Sequence, residues 1–200
     1  MLTECVFKTS NITLNCLFEN KGEHYVLNIE NNIFSGNDLD LLKNNSSNKL
    51  PSYLKISDNG FLCDFELNIK LSYDVYNSDK EIFIEIFFIV DKFNTILKKE
   101  VYFIDEDKVK LLDIDEYILN TLYQSNLNNN IIKCCSNCSN ASYSPFSSSS
   151  YLMCFKKSKD KFISIGGYNG LREFSILKSL KYDIVNDFFY CNDFEYQSSN

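Results

Sequence analysis

The chain has 200 residues, of which 44% are hydrophobic and 15% aromatic, and a formal net charge of −7. That length suits one large domain, or one domain with a small appendage, and a core that needs no disulfides. The acidic balance, with Arg172 the one arginine among 20 basic residues, argues against nucleic acid, which selects basic faces and bidentate arginine; a basic protein partner stays open.

No apolar run approaches the ~18 residues of a membrane span. The opening MLTECVFKTS carries an early glutamate and no apolar stretch of the signal-peptide kind. The expectation is a cytoplasmic protein without a membrane partner, in which Asn11-Ile12-Thr13 has no meaning as a glycosylation acceptor. Abundant Asn, Lys, Ile, Phe and Tyr beside scarce Ala, Arg, Gly, Pro and Trp suggest an A/T-rich genome, so part of the Asn and Lys content reflects coding bias.

The first two-thirds read as β. Ile12, Leu14, Cys16 and Phe18 alternate with polar positions, as do Tyr25, Leu27 and Ile29. The turn-forming stretch Glu19–Glu23 between them predicts a hairpin. Residues 37–49 are polar apart from Leu39, Leu41 and Leu42, and read as a loop with one helical turn. From Cys63 to Tyr73 every second residue is apolar, the signature of an antiparallel strand with one wet face. After a turn at 77–80, Ile82–Val90 is apolar except for Glu85 and predicts a central strand buried on both faces. A further strand follows around Lys99–Ile104. Consecutive strands with short turns favour a sandwich or a meander over βαβ units.

Asp113 and Glu116 form a capping box ahead of the stripe Ile114, Ile118 and Leu122, which predicts a helix. A weaker helical spacing runs through Leu171, Phe174, Leu177 and Leu180. Asn126–Asn130 is the linker candidate, dividing a β-rich body (1–125) from a cysteine-bearing tail (131–200).

The tail holds the densest chemistry. Cys135-Ser136-Asn137-Cys138 is a C-x2-C knuckle, and Cys154 follows after 15 residues. Two thiolates at that spacing can hold one metal while backbone amides donate to the sulfurs. This is half of a four-cysteine zinc pattern. Tetrahedral zinc needs a fourth ligand, and Cys191 is the choice because it lies in the same tail among polar neighbours; Cys134 and His24 are rivals. The predicted structural Zn²⁺ set is therefore Cys135, Cys138, Cys154 and Cys191. The competing readings are buried reduced thiols and, further off, a redox C-x-x-C, which needs a depressed thiol pKa such as a helix N-terminus provides. Cys5, Cys16 and Cys63 fall on apolar strand faces and read as core.

The string from Cys135 and Cys138 through Ser142-Tyr143-Ser144-Pro145-Phe146, then Met153-Cys154-Phe155, then Cys191, resembles a family of bacterial proteins of unknown function and similar length. Ser147 stands where that family's motif has Gly, and Lys156 where it has Arg. The resemblance covers about a third of the chain. It implies a zinc knuckle and no activity.

Other chemistries find little footing. His24, the lone histidine, sits in a turn; no nucleophile elbow, zinc-protease helix or phosphate loop is present. Gly166-Gly167-Tyr168-Asn169-Gly170 reads as a tight turn, and Asp105-Glu106-Asp107 with Asp113 and Asp115 as a solvated acidic stretch without EF-hand spacing. The expectation is a mainly β protein, a β-sandwich-like body with one or two helices and a zinc-knuckle appendage. Its function is read as non-enzymatic: an acidic protein-binding module, immunity-type or adaptor-like. The alternatives are a metal-dependent hydrolase with an open zinc position, and a structural subunit of a larger assembly.

Overall fold

The computed structural model describes residues 2–22, 24–47, 49–105, 108–112, 131–143, 145, 152–172, 174–185 and 193–196. The helix expected at 113–122, the linker 126–130, most of the loop 144–150 and Cys191 lie outside the described residues.

The molecule is mainly β. Strands β1 (Leu2–Lys8), β2 (Thr13–Asn20), β3 (Tyr25–Ile29), β4 (Asn32–Gly36) and β5 (Lys43–Asn44) run out as a meander from one side of β1. A two-residue-per-strand ribbon, β6 (Lys55–Ile56) with β7 (Leu62–Cys63), comes next in sequence. Then β8 (Phe65–Asp74), β9 (Glu81–Val90), β10 (Ile96–Asp105) and β11 (Lys108–Leu112) form a second meander. β8 pairs antiparallel with β1, so both meanders join in one nine-stranded sheet ordered β11-β10-β9-β8-β1-β2-β3-β4-β5.

Local chemistry sets the turns. Ile29 pairs with Asn32, leaving Glu30 and Asn31 as a two-residue loop, both at positive φ (46° and 72°). This is the conformation whose twist matches paired strands, and asparagine tolerates it. At the β9–β10 turn the Asp91 carboxylate accepts the Phe93 and Thr95 amides at 2.9 and 2.7 Å.

Burial follows the period of two. Cys5, Phe7, Cys16, Phe18, Phe65, Leu67, Ile69, Leu71 and Tyr73 all point to one buried face. The expected hairpin is present, and the alternating strand expected over 63–73 begins at Phe65: Cys63 belongs to β7, and Asp64, at φ 59°, breaks the strand between them. The expected sandwich is not what the described residues show. Because the strands within each meander are joined by short turns, neighbours in sequence pair side by side, and the sheet grows sideways and curls. Tyr25 on β3 and Phe88 on β9 are four strands apart, about 19 Å along a flat sheet, yet they line one hollow.

The rest of the inner face is covered by the segment between β4 and β8, which supplies Leu39, Leu42, Leu54 and Leu62 to the core. The stretch 37–49, expected as a loop with one helical turn, is thus part of a plug; its described residues hold β5 and no helical turn. Its close entry depends on Gly36, where any Cβ would collide with the Leu41 carbonyl.

β9 differs from expectation in one respect. It is central, flanked by β8 and β10, and Ile82, Ile84, Ile86, Phe88 and Val90 are buried. Its other face, with Phe83, Glu85 and Phe87, is only half-buried. There Lys70 lies over the Phe83 ring at 4.2 Å and Lys98 over Phe87 at 5.3 Å. Lysine stems on aromatic faces take the place of a covering layer.

The tail has cores of its own. Strands β12 (Ala141–Tyr143), β13 (Leu152–Cys154) and β14 (Asp183–Val185) form a small antiparallel sheet. Between β13 and β14 lie helices α1 (Lys159–Ser164) and α2 (Phe174–Lys178) with a 3-10 turn over Gly167–Arg172. Phe155 is fully buried and stacks on Phe162 with centroids 4.3 Å apart. Leu171, Leu177 and Leu180 pack in the same cluster, which is why their helical spacing was visible in the sequence.

Candidate functional site

The cysteine region begins where the tail docks on the body. Beyond the end of β8 the Tyr76 amide donates to the Ile131 carbonyl at 2.7 Å, and the Lys133 amide to Asp74 at 3.0 Å. Ile132 and Cys134 enter the core of the body, whereas Cys135 belongs to a separate small cluster with Leu152, Cys154 and Val185. Adjacent cysteines therefore face two different cores. Cys134 is 1% exposed and accepts from the Asn137 side-chain amide at 3.8 Å.

The knuckle itself is a single 3-10 turn, Cys135–Asn137. The Cys138 amide donates to the Cys135 carbonyl at 3.2 Å, and the Asn137 side chain braces the turn on the Ile132 carbonyl at 2.9 Å. The chain then reverses. Ala141 donates to the Cys138 carbonyl at 3.1 Å, and β12 places Ala141 directly opposite Cys154. Phe155 donates back to the Asn140 carbonyl at 2.7 Å. The returning strand expected after the loop is β13, and it carries Cys154 to the knuckle's side.

The chain on both sides of Cys191 also reaches this place. Val185, at the end of β14, packs with Cys135 and Cys154. Glu195 accepts the Ser139 amide at 2.7 Å, and Tyr196 bridges to Cys138. Tyr76 of the body meets the rings of Phe194 and Tyr196 at 6.0 and 5.4 Å. Asp193 and Glu195 pair with Lys156 and Lys159. Cys191 is four residues before Glu195, a reach of at most about 14 Å.

Of the expected ligands, Cys135 and Cys154 share a cluster, Cys138 sits one 3-10 turn away, and Cys191 lies outside the described residues. Among the described residues, no group of three or more His, Cys, Asp or Glu side chains is gathered closely enough to hold a metal. The rivals fare differently. Cys134 turns into the body. His24 lines a hollow on the outer face of the sheet with Leu2, Leu17, Val26 and Ile33, three strands across from β8. One polar atom near the knuckle stands out: Asn140 is 3% exposed and its side-chain oxygen has no hydrogen-bond partner among the described residues.

The remaining thiols are core. Cys5 and Cys16 face each other across β1 and β2, each 4% exposed, and Cys63 is 3% exposed. Burial pushes the Cys5 thiol up to about 12 and the Cys16 thiol up to about 11. Neither is a nucleophile at neutral pH.

The outer face is a second feature, one that alternation alone did not single out. Leu2, Leu17 and Ile33 are 64%, 42% and 44% exposed. With Val26 they line a shallow hollow of about 340 Å³ that also holds Glu19 and Lys21, paired with each other at 3.2 Å. The signal was present in the sequence as apolar residues on the polar phase of β1, β2 and β4.

Comparison with protein-family models, with curated proteins and with solved structures found no match to the chain.

Proposed function

We propose that the chain is a non-enzymatic, acidic protein-binding module whose C-terminal tail is fastened by a structural zinc ion held by Cys135, Cys138, Cys154 and Cys191. The observation that carries the binding reading is the hollow on the outer face. Apolar side chains exposed as a contiguous group on the outer face of a sheet mark an interaction surface. Within the hollow Glu19 is paired with Lys21 at 3.2 Å, so the acidic character comes from Glu4 on the same face of β1 and from the chain's net charge of −7, which fit a partner that is basic around an apolar anchor.

The zinc part rests on convergence. The knuckle, β13 and the two segments flanking Cys191 come together, and the tail sequence resembles a family with the same cysteine pattern. Metal binding and ordering of the ligands are coupled, so the ion draws the sulfurs into their final tetrahedron. Four thiolates leave no vacancy for a substrate, which separates this reading from a hydrolase with an open zinc position.

Cross-linking followed by mass spectrometry in a lysate of the source cells tests the binding reading. Cross-links from Lys8 and Lys21 to one basic protein are expected, and Leu17→Asp should remove them while the melting temperature holds. Cross-links that survive Leu17→Asp, or that map away from β1–β4, would overturn it.

A further inference from the structure

The plug lays Leu39, Leu42, Leu54 and Leu62 against the inner face of the curled sheet. There a hollow of about 300 Å³ opens between β3 and the β9–β10 pair. Ile86, Phe88 and Val101 form its sheet wall and Leu39 its opposite wall. Mouths of curled and closed β-sheets are common ligand sites, where apolar walls meet a few polar groups.

Three charged residues line the same hollow: Asp38, Asp40 and Lys99. Asp38 and Asp40 lie on the plug, held there by the close approach of Gly36 to Leu41. Lys99 lies on β10, opposite Phe88, with its ammonium 5.9 Å from that ring. Asp38 is exposed at the rim of the hollow and Asp40 is partly buried; desolvation by the surrounding protein, then the neighbouring Asp40, hold the Asp38 carboxyl above the usual range against the pull of Lys99. Two carboxylates against one ammonium leave one net negative charge at an apolar opening.

We propose that this hollow binds a small organic ammonium ion, its apolar body against Ile86, Phe88 and Val101 and its charged head between Asp38 and Asp40. A monocation balances the excess charge, and the apolar body displaces water from the wall. A carboxylate ligand would meet both aspartates. A neutral ligand would gain the wall contacts and leave the Asp38 charge uncompensated. The site lies on the opposite face from the outer hollow, so either can be lost without the other.

Titration calorimetry on the full chain tests it, with 2-phenylethylammonium as probe and 2-phenylethanol and 3-phenylpropanoate as controls. The ammonium is expected to bind about tenfold more tightly than the alcohol, the worth of one charge-assisted contact, and the carboxylate not at all. Asp38→Asn should remove that preference, and Val101→Phe, which fills the hollow, should abolish binding with the melting transition still cooperative. Equal binding of ammonium and alcohol, retained preference in Asp38→Asn, or no ammonium binding at millimolar concentration would each overturn the proposal.

Discussion

Raising the pH from 8 to 10 should destabilise the body through two thiols that never meet water. Cys5 and Cys16 stand opposite one another on the inner face. Burial raises Cys5 from the ordinary 9.0 to about 12, with Cys16 beside it adding to the rise. Burial raises Cys16 from 9.0 to about 11, with the Glu30 carboxylate adding to it. Above pH 9 the unfolded chain releases these protons while the folded chain keeps them. The unfolded state then binds fewer protons, so stability falls as pH rises. The loss begins near 9 and runs on to the folded values near 11 and 12. At pH 10 it amounts to roughly 1 kcal/mol for each thiol. Urea denaturation at pH 8 and pH 10 measures it, with Cys5→Ala/Cys16→Ala as reference. The double variant keeps every other ionisable group of the chain. The wild type is expected to lose about 2–3 kcal/mol more than the double variant. Equal losses would show that these thiols ionise as readily in the folded chain as in the unfolded one, and would refute the reasoning.

Gly36→Ala should cost about 1–3 kcal/mol by overpacking, read as a lowered melting temperature, because its Cβ has no room beside the Leu41 carbonyl. Phe155→Ala removes a fully buried ring stacked on Phe162 and should cost about 3–5 kcal/mol locally; hydrogen exchange should speed up across 152–180 and stay slow in β1 and β8. Leu17→Asp on the outer face should change stability by less than about 0.5 kcal/mol in the same denaturation assay, because Leu17 is 42% exposed.

The strands were legible where one face is dry. Residues 65–73 alternate without a break, and each apolar position is buried. β9 shows where the pattern misleads. Phe83, Phe87 and Ile89 continue the apolar run, yet lysine stems from β8 and β10 partly cover two of them. A composition-based reading cannot distinguish such cover from a second packed layer. The choice between a sandwich and a curled single sheet turned on β1 pairing with β8, a contact between residues 58 to 64 positions apart that leaves no local trace. The plug was missed for a related reason: Leu39, Leu42 and Leu54 are spaced irregularly and gain their meaning from the face they cover.

The candidate site was legible in parts. The C-x2-C spacing pointed to a turn, and a 3-10 turn is there. That Cys154 returns beside the knuckle followed from the intervening loop residues. That Cys134 faces a different core from Cys135 could not be read from two adjacent identical letters; it depends on the docking of Ile132 against Val75. The hollow at the open end of the sheet depends on the curl and had no sequence signal beyond Asp38 and Asp40 themselves.

Elemental analysis of the purified full chain, run beside Cys154→Ser, addresses the fastened tail most directly. The account predicts one zinc per chain that survives gel filtration, and its loss in the variant with faster hydrogen exchange through 131–143 and 193–196. Protein that carries no metal, and whose tail exchanges at the same rate with Cys154 or serine in place, would contradict it.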